Sequence, residues 1–319
     1  LRVSCSTYAL QEKIMAARML YQYCLDVPQF VAPYAEAAVS ALCELTGTVA
    51  FDEECAMVVG AAFVELLRLY CYYPPNHTGG DIISAEVVSG ASRLVLKAAE
   101  GLLGALAHTH AILQAQASAG TSVRVHEERA NQIMDAIREL MQLLYSLRCT
   151  HARRWPAALT LPSAVYIRAI TLCRDELMLW LDRYGLRGAT GAMLRDEQLA
   201  LRDGRRDGAL DTLGWLLKLA EADGSVDIRQ AYSEAVLPFL SSVLSSGLDP
   251  KTCSPVLMAP ILGLLDAVIY VPECRLSICE TLFPCLLQMW NAGDGMLSVS
   301  CVYGLGVCMQ YGNPAVEFV

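Results

Sequence analysis

Several short constellations carry the residue types of a chemical site. The run Glu221-Ala222-Asp223-Gly224-Ser225-Val226-Asp227 sets acid, glycine, aliphatic and acid in the order found at the centre of a calcium-binding EF-hand loop. With Gly224 as the sixth loop position, the first is Leu219 and the twelfth Gln230, so two of the strongest oxygen ligands are missing. The run therefore reads as a turn between helices, where Gly and Asp are ordinary. His108 and His110 stand two apart. On a helix that spacing points them to different faces, whereas zinc held by one helix needs i, i+4. His126, Glu127 and Glu128 have the types for acid–base work, but at the start of a helical stretch they read as a solvated end matched to the helix dipole.

Gly304-Leu305-Gly306 has the opening of a dinucleotide fingerprint, yet no strand pattern precedes it and Met309 holds the last glycine position. These glycines read as sites where another helix approaches closely. No P-loop, G-x-S-x-G elbow or H-E-x-x-H is present, so the expectation is a non-enzyme without metal or cofactor. The 13 cysteines include no C-x-x-C pair and are scattered through helical patterns, which reads as buried reduced thiols. Asn76-His77-Thr78 fits a glycosylation sequon and, in a reduced intracellular protein, is a chance match.

Acids spaced along helices are different, because a binding surface needs carboxylates in rows. Glu53, Glu65, Asp135, Asp211 and Asp266 are the candidates for contact with a basic protein partner. A formal charge of −9 points the same way and disfavours nucleic acid.

These acids need helices to carry them, and the chain supplies little else. It has 319 residues, 55% of them hydrophobic and only 18% charged, enough to bury a large apolar surface. One helix is expected over about Thr7 to Leu25, stopped by Pro28. The next, opened by Pro33, presents Tyr34, Ala38, Ala41, Leu42 and Leu45 on one face. Ile133, Ile137, Leu140, Met141 and Leu144 make an apolar stripe on a later helix, and Ile170, Cys173, Leu177 and Trp180 another. A charged segment from Leu186 to Gly208 reads as a connector. Two runs without formal charge, Gly101 to Val123 and Gly295 to Val316, hold histidine, glutamine, serine or proline and read as buried helices rather than membrane spans.

Toward the C-terminus the pattern repeats. Ile228 to Leu244, a Gly247-Leu248-Asp249-Pro250 turn and Thr252 to Ile269 are followed by Arg275 to Trp290, a Gly293-Asp294-Gly295 turn and a helix from Met296. Pro238 answers Pro284 and Gly263 answers Gly304, offsets of about 41 to 46 residues that fit the period of HEAT and armadillo repeats.

Two stretches carry a resemblance. SVSCVYGLGVCMQYG, residues 298–312, resembles the R-Q-A-A-x-Y-G-L-G-x-x-A-Q-Y-G inner helix of importin-β-like nuclear transport receptors, the karyopherin-β family, most of all its importin-5 or karyopherin-β3 branch. YALQEKIMAARMLYQYCLDVPQFVAPYAEAAVSALCEL, residues 8–45, is similar to that branch's A-L-E-D-K-x-x-A-x-x-M-L-x-x-Y-A…F-x-x-Y-x-x-x-V stretch. The resemblance implies nuclear import. Protein cargo would be held on a concave face, displaced by the Ran GTPase mainly through repeats elsewhere in the receptor, and carried past phenylalanine-glycine nucleoporins between cytoplasm and nucleus. An acidic connector is common in the family near residues 186–208, whereas this chain mixes Arg195, Asp196, Glu197, Arg202, Asp203, Arg205, Arg206 and Asp207 there. With no initiator methionine and a stop just after an Asn-Pro turn, the chain is expected to be a central to C-terminal segment of a longer receptor.

The resulting expectation is an all-α, right-handed α-solenoid of HEAT repeats with about five to six helix pairs. Its units would be residues 1–27, 31–73, 84–147, 162–222, 228–271 and 275–312 of one solenoid over 1–319. Inner helices near 53–73, 125–147, 207–220, 252–269 and 296–311 would line the concave face. The rival reading is a HEAT scaffold of another class, such as a phosphatase regulatory subunit or an assembly platform.

Overall fold

The structure is a computed structural model that describes residues 2–46, 53–73, 83–119, 124–149, 155, 159–184, 196–247, 258–291 and 295–312. The fold is all-α, and no strand occurs among the described residues. In order come α1 (Arg2–Asp26), α2 (Pro28–Val31), a 3-10 turn (Ala32–Tyr34), α3 (Ala35–Thr46), α4 (Glu53–Tyr72), α5 (Ala85–Ala119) and α6 (Arg124–Cys149). They are followed by α7 (Ser163–Tyr184), α8 (Asp196–Asp223), α9 (Val226–Ala235), α10 (Leu237–Gly247), α11 (Met258–Tyr270), a 3-10 turn (Pro272–Cys274), α12 (Arg275–Asn291) and α13 (Gly295–Tyr311).

Local chemistry sets the helix ends. Pro28 stops α1 and occupies the first turn of α2, where its missing N–H is no loss. Gly224 ends α8 with φ of 61°, a left-handed conformation that favours glycine. Its N–H bonds the Glu221 carbonyl at 3.0 Å and the Ser225 N–H reaches Ala220 at 2.9 Å, a Schellman closure. Ser225 then caps α9 by accepting the Ile228 N–H at 3.5 Å. The EF-hand-like run is thus the helix-to-helix turn expected of it.

The chain forms two compact units, Leu1–Leu172 and Cys173–Val319. In the first, α4 lies between α1 and α6, while α3 and α5 pack on each other and against these helices. Gly60 of α4 makes the α6 contact close, since a Cβ there would stand 2.7 Å from the Ala136 Cβ. In the second, α11 lies between α8 and α13, α10 and α12 both pack on α11, and α12 packs on α13.

The periodic stripes are where the cores form. Ile133, Ile137, Leu140, Met141 and Leu144 of α6 are buried, as are Ile170, Cys173, Leu177 and Trp180 of α7. Elsewhere the details depart from expectation. On α3 the buried face is Ala35, Val39, Leu42 and Leu45, and Tyr34 is exposed. Ala41, expected on that face, is exposed too, and Ala38 is half-buried. Residues 228–244 are not one helix. The chain breaks at Val236 between α9 and α10, because Pro238 has no N–H for the ladder and its ring disfavours a straight helix behind it. Pro284, by contrast, stands inside the continuous α12. Glu127, expected at a solvated end, is buried, because the start of α6 packs along α5. Glu128 does pair with Arg124, at 2.6 Å.

The largest departure is α8, which begins at Asp196 inside the expected connector. Arg205 of α8 donates its Nε to Glu176 of α7, and each side chain is only 1% exposed. The neighbouring Arg206 guanidinium lies 5.6 Å from the Trp180 ring centroid, a cation–π distance. Two arginines of the expected connector are therefore packed against α7. Glu54–Tyr72 of α4 is long and apolar enough to cross a membrane, but 72% of that window is buried against other parts of the protein, as a core helix is.

Candidate functional site

The five candidate acids fall into different surroundings. Glu53 is the first residue of α4, and its side chain lies outside the described residues. Glu65 of α4 is ion-paired with Arg68, one turn on. It also faces Cys24 of α1, whose thiol is held up to about 11, chiefly by burial and secondarily by this carboxylate. Asp135 of α6 bonds Arg138 at 3.1 Å. Burial raises its carboxyl above the usual range and Arg138 opposes that shift. Each of these carboxylates meets a cation on its own helix, which weakens its pull on a partner.

Asp211 of α8 and Asp266 of α11 are the pair that the fold brings together. Asp211, Gly214, Trp215 and Lys218 follow i, i+3, i+4, i+7 spacing, so they share one face of α8. Asp266 packs onto that face, where a Cβ on Gly214 would stand 2.7 Å from its Oδ2. The Lys218 Nζ sits 4.1 Å above the Trp215 ring. Burial pushes the Asp266 carboxyl up to about 6, with Asp211 adding to the shift and Lys218 opposing it. Tyr232 of α9 also lies within electrostatic reach of Asp266. Its hydroxyl donates to the Gly263 carbonyl at 3.2 Å, and burial, with a lesser contribution from Asp266, holds it protonated. Lys218, over the Trp215 ring and on the same face as Asp211, answers part of the charge of the two carboxylates, which leaves the group net negative at neutral pH. Lys218 and Trp215 were not among the sequence candidates, although their spacing from Asp211 was the signal that could have found them.

The raised Asp266 carboxyl has a consequence for stability. Its folded value of about 6 lies above the ordinary 3.8, so the fold favours the protonated form. That contribution is complete below the ordinary value and is lost as pH rises through about 6. Asp266→Asn is therefore expected to stabilise the protein at pH 7.5 by about 1 to 2 kcal/mol, the shift being discounted for partial exposure, and to change little at pH 4. Urea unfolding of both proteins at the two pH values measures it. An equal difference at both would remove the titration as its cause.

Gly263 and Gly304, matched in the sequence, have these neighbours. A Cβ on Gly263 of α11 would meet Leu210 of α8 at 2.8 Å and Leu240 of α10 at 3.4 Å. On Gly304 of α13 it would meet Leu286 of α12 at 2.8 Å and Leu265 of α11 at 3.2 Å. Each glycine thus admits one helix of the α8, α11, α13 row and one helix packed beside that row. Gly306, expected to do the same, has nothing within 4 Å.

Among the described residues no group of three or more His, Cys, Asp or Glu has a metal-binding arrangement. His108 is exposed and His110 buried, in keeping with their opposite directions on α5. His126 is held below the usual imidazole range by burial first, then by Arg129 and His108. Comparison of the chain with protein-family models, curated proteins and solved structures returns no match.

Proposed function

We propose that this chain is a segment of an importin-β-like nuclear transport receptor, built as a HEAT-repeat α-solenoid that binds basic protein cargo. The observation that carries the reading is the meeting of Asp211 and Asp266 on neighbouring helices, beside Trp215, in a chain of formal charge −9. The like surroundings of Gly263 and Gly304 support the repeat architecture, because glycine is placed where the same two kinds of neighbour press in. The segments that resemble the family form α1 through α3 and α13. In this reading the α1, α4, α6 and α8, α11, α13 rows are the inner helices, and Ran and phenylalanine-glycine nucleoporins are the other partners.

The test is fluorescence anisotropy with a Lys/Arg-rich localisation peptide across ionic strength. Affinity is expected to fall with salt, since exposed charges are screened over about 8 Å at physiological ionic strength. The Asp211→Asn/Asp266→Asn double variant is expected to bind about 3- to 30-fold more weakly, from roughly 0.3 to 1 kcal/mol per exposed pair. Adding Asp135→Asn is expected to change little further, because Arg138 already answers that carboxylate. Absence of salt-sensitive peptide binding, together with no retention on immobilised Ran-GTP, would leave a HEAT scaffold of another class as the better reading.

A further inference from the structure

Two helices, α1 and α13, are apolar on two opposite sides. α1 packs on α4 and buries Ile14, Ala17 and Cys24. Tyr8, Met15, Met19 and Tyr23, spaced by seven, four and four residues, line its other side and are exposed, Tyr8 by 67%. On α13, Cys301, Gly304 and Cys308 are buried. Val299, Val302, Gly306 and Met309 share the opposite side and are exposed, Val299 by 76%. No charged residue occurs anywhere in α13.

Register shows what kind of element such a face takes. With Gly263 set on Gly304, the residues Val302, Gly306 and Met309 fall on Ile261, Leu265 and Val268 of α11. Those three are buried, and Leu265 meets Gly304 of α13. The counterpart of a face that takes a helix is thus bare on α13. The α1 stripe matches it in size. α13 offers two valines and a glycine with nothing within 4 Å of its Cβ position, whereas α1 offers two long methionines between two tyrosines. At 1.5 Å per residue the α1 stripe runs about 22 Å and the α13 face about 15 Å, so the shorter is covered along its whole length. Packing order agrees. α1 begins the α1, α4, α6 row and α13 completes the α8, α11, α13 row, so each has a neighbour of its row on one side only. In stacked helical repeats the end units keep a polar outer face for solubility. Neither α1 nor α13 does so, and a single contact between copies covers both.

We propose that α13 of one molecule docks on α1 of a second copy, with Met15 and Met19 filling the space over Gly306. The contact joins different faces of the two copies, so it is heterologous and leaves each end free to take another copy. One helix laid on another is small beside the roughly 800 Å² per partner of a standard interface, so assembly is weak and grows with concentration. It needs neither cargo nor Ran.

Sedimentation equilibrium of the whole chain over a wide concentration range tests this. The weight-average mass is expected to rise above that of the monomer as concentration rises. Met19→Lys and Gly306→Lys are each expected to stay monomeric, although each reduces the net negative charge through which copies repel. Mixed in equal amounts, the two variants are expected to form a complex of twice the monomer mass and no larger, because one intact α13 face and one intact α1 face remain between them. Circular dichroism checks helicity, and Met15→Lys or Val302→Lys replaces a variant that has lost it. Wild-type protein that stays monomeric at every concentration would overturn the proposal and leave both faces to other chains. Association that survives either single substitution, or a mixture that stays monomeric, would overturn it as well.

Discussion

Replacing Glu176 by alanine is expected to lower stability to unfolding by about 3 to 5 kcal/mol, the usual cost of removing one partner from a buried ion pair. The reason is what stays behind. Arg205 is 1% exposed, so its guanidinium has no route to water without moving α8 off α7. Arg206, already against Trp180, adds a second positive charge in the same region. Glu176→Leu with Arg205→Met is expected to recover most of the loss, since well-packed apolar side chains of similar volume replace buried pairs at little cost. Urea unfolding followed by circular dichroism, with linear extrapolation, measures all three proteins. A loss below about 1 kcal/mol in Glu176→Ala would mean that the pair does not hold α8 on α7.

Three glycine substitutions should separate by sign. Gly263→Val and Gly304→Val are each expected to cost about 1 to 3 kcal/mol, because the new side chain overpacks leucines already within 2.8 Å of its Cβ. Gly306→Ala is expected to stabilise by about 0.5 to 1 kcal/mol, since it gains helix propensity and touches nothing. Thermal melts read all three. Similar losses at 263 and 304 are the expected result for equivalent positions, and loss at only one would argue against their equivalence.

Much of the fold was legible because period and punctuation are local properties. The stripes on α6 and α7 sit at 3.6-residue spacing, and Gly224 and Pro28 mark ends through their own backbone limits. What could not be read depends on distant partners. Arg205 and Arg206 look solvated until Glu176 and Trp180, about 25 to 30 positions earlier, are placed beside them. On α3 the small apolar residues Ala38 and Ala41 could sit on either side of the buried face, and only the packing against α4 and α5 picks Ala35 and Val39 instead. At the candidate surface each acid could be placed on a helix, but not its companions. Glu65 and Asp135 were visible together with the arginines three residues on that answer them, a spacing that argued for pairing. The meeting of Asp211 with Asp266 required the register of α8 against α11, which single-helix periodicity does not contain.

The packing order within the second unit sets a timetable for a chain emerging from the ribosome. Its main contacts join helices at most three apart along the chain, so little searching is needed once neighbours exist, and such local topologies fold within about microseconds to milliseconds. Synthesis is slower. About 35 residues separate the end of α8 at Asp223 from the start of α11 at Met258, which at roughly 5 to 20 residues per second takes about 2 to 7 s. Through that interval Leu210, which packs against Gly263 in the finished protein, lacks its α11 partner. Synthesis, rather than conformational search, sets how long that face of α8 is open to a chaperone.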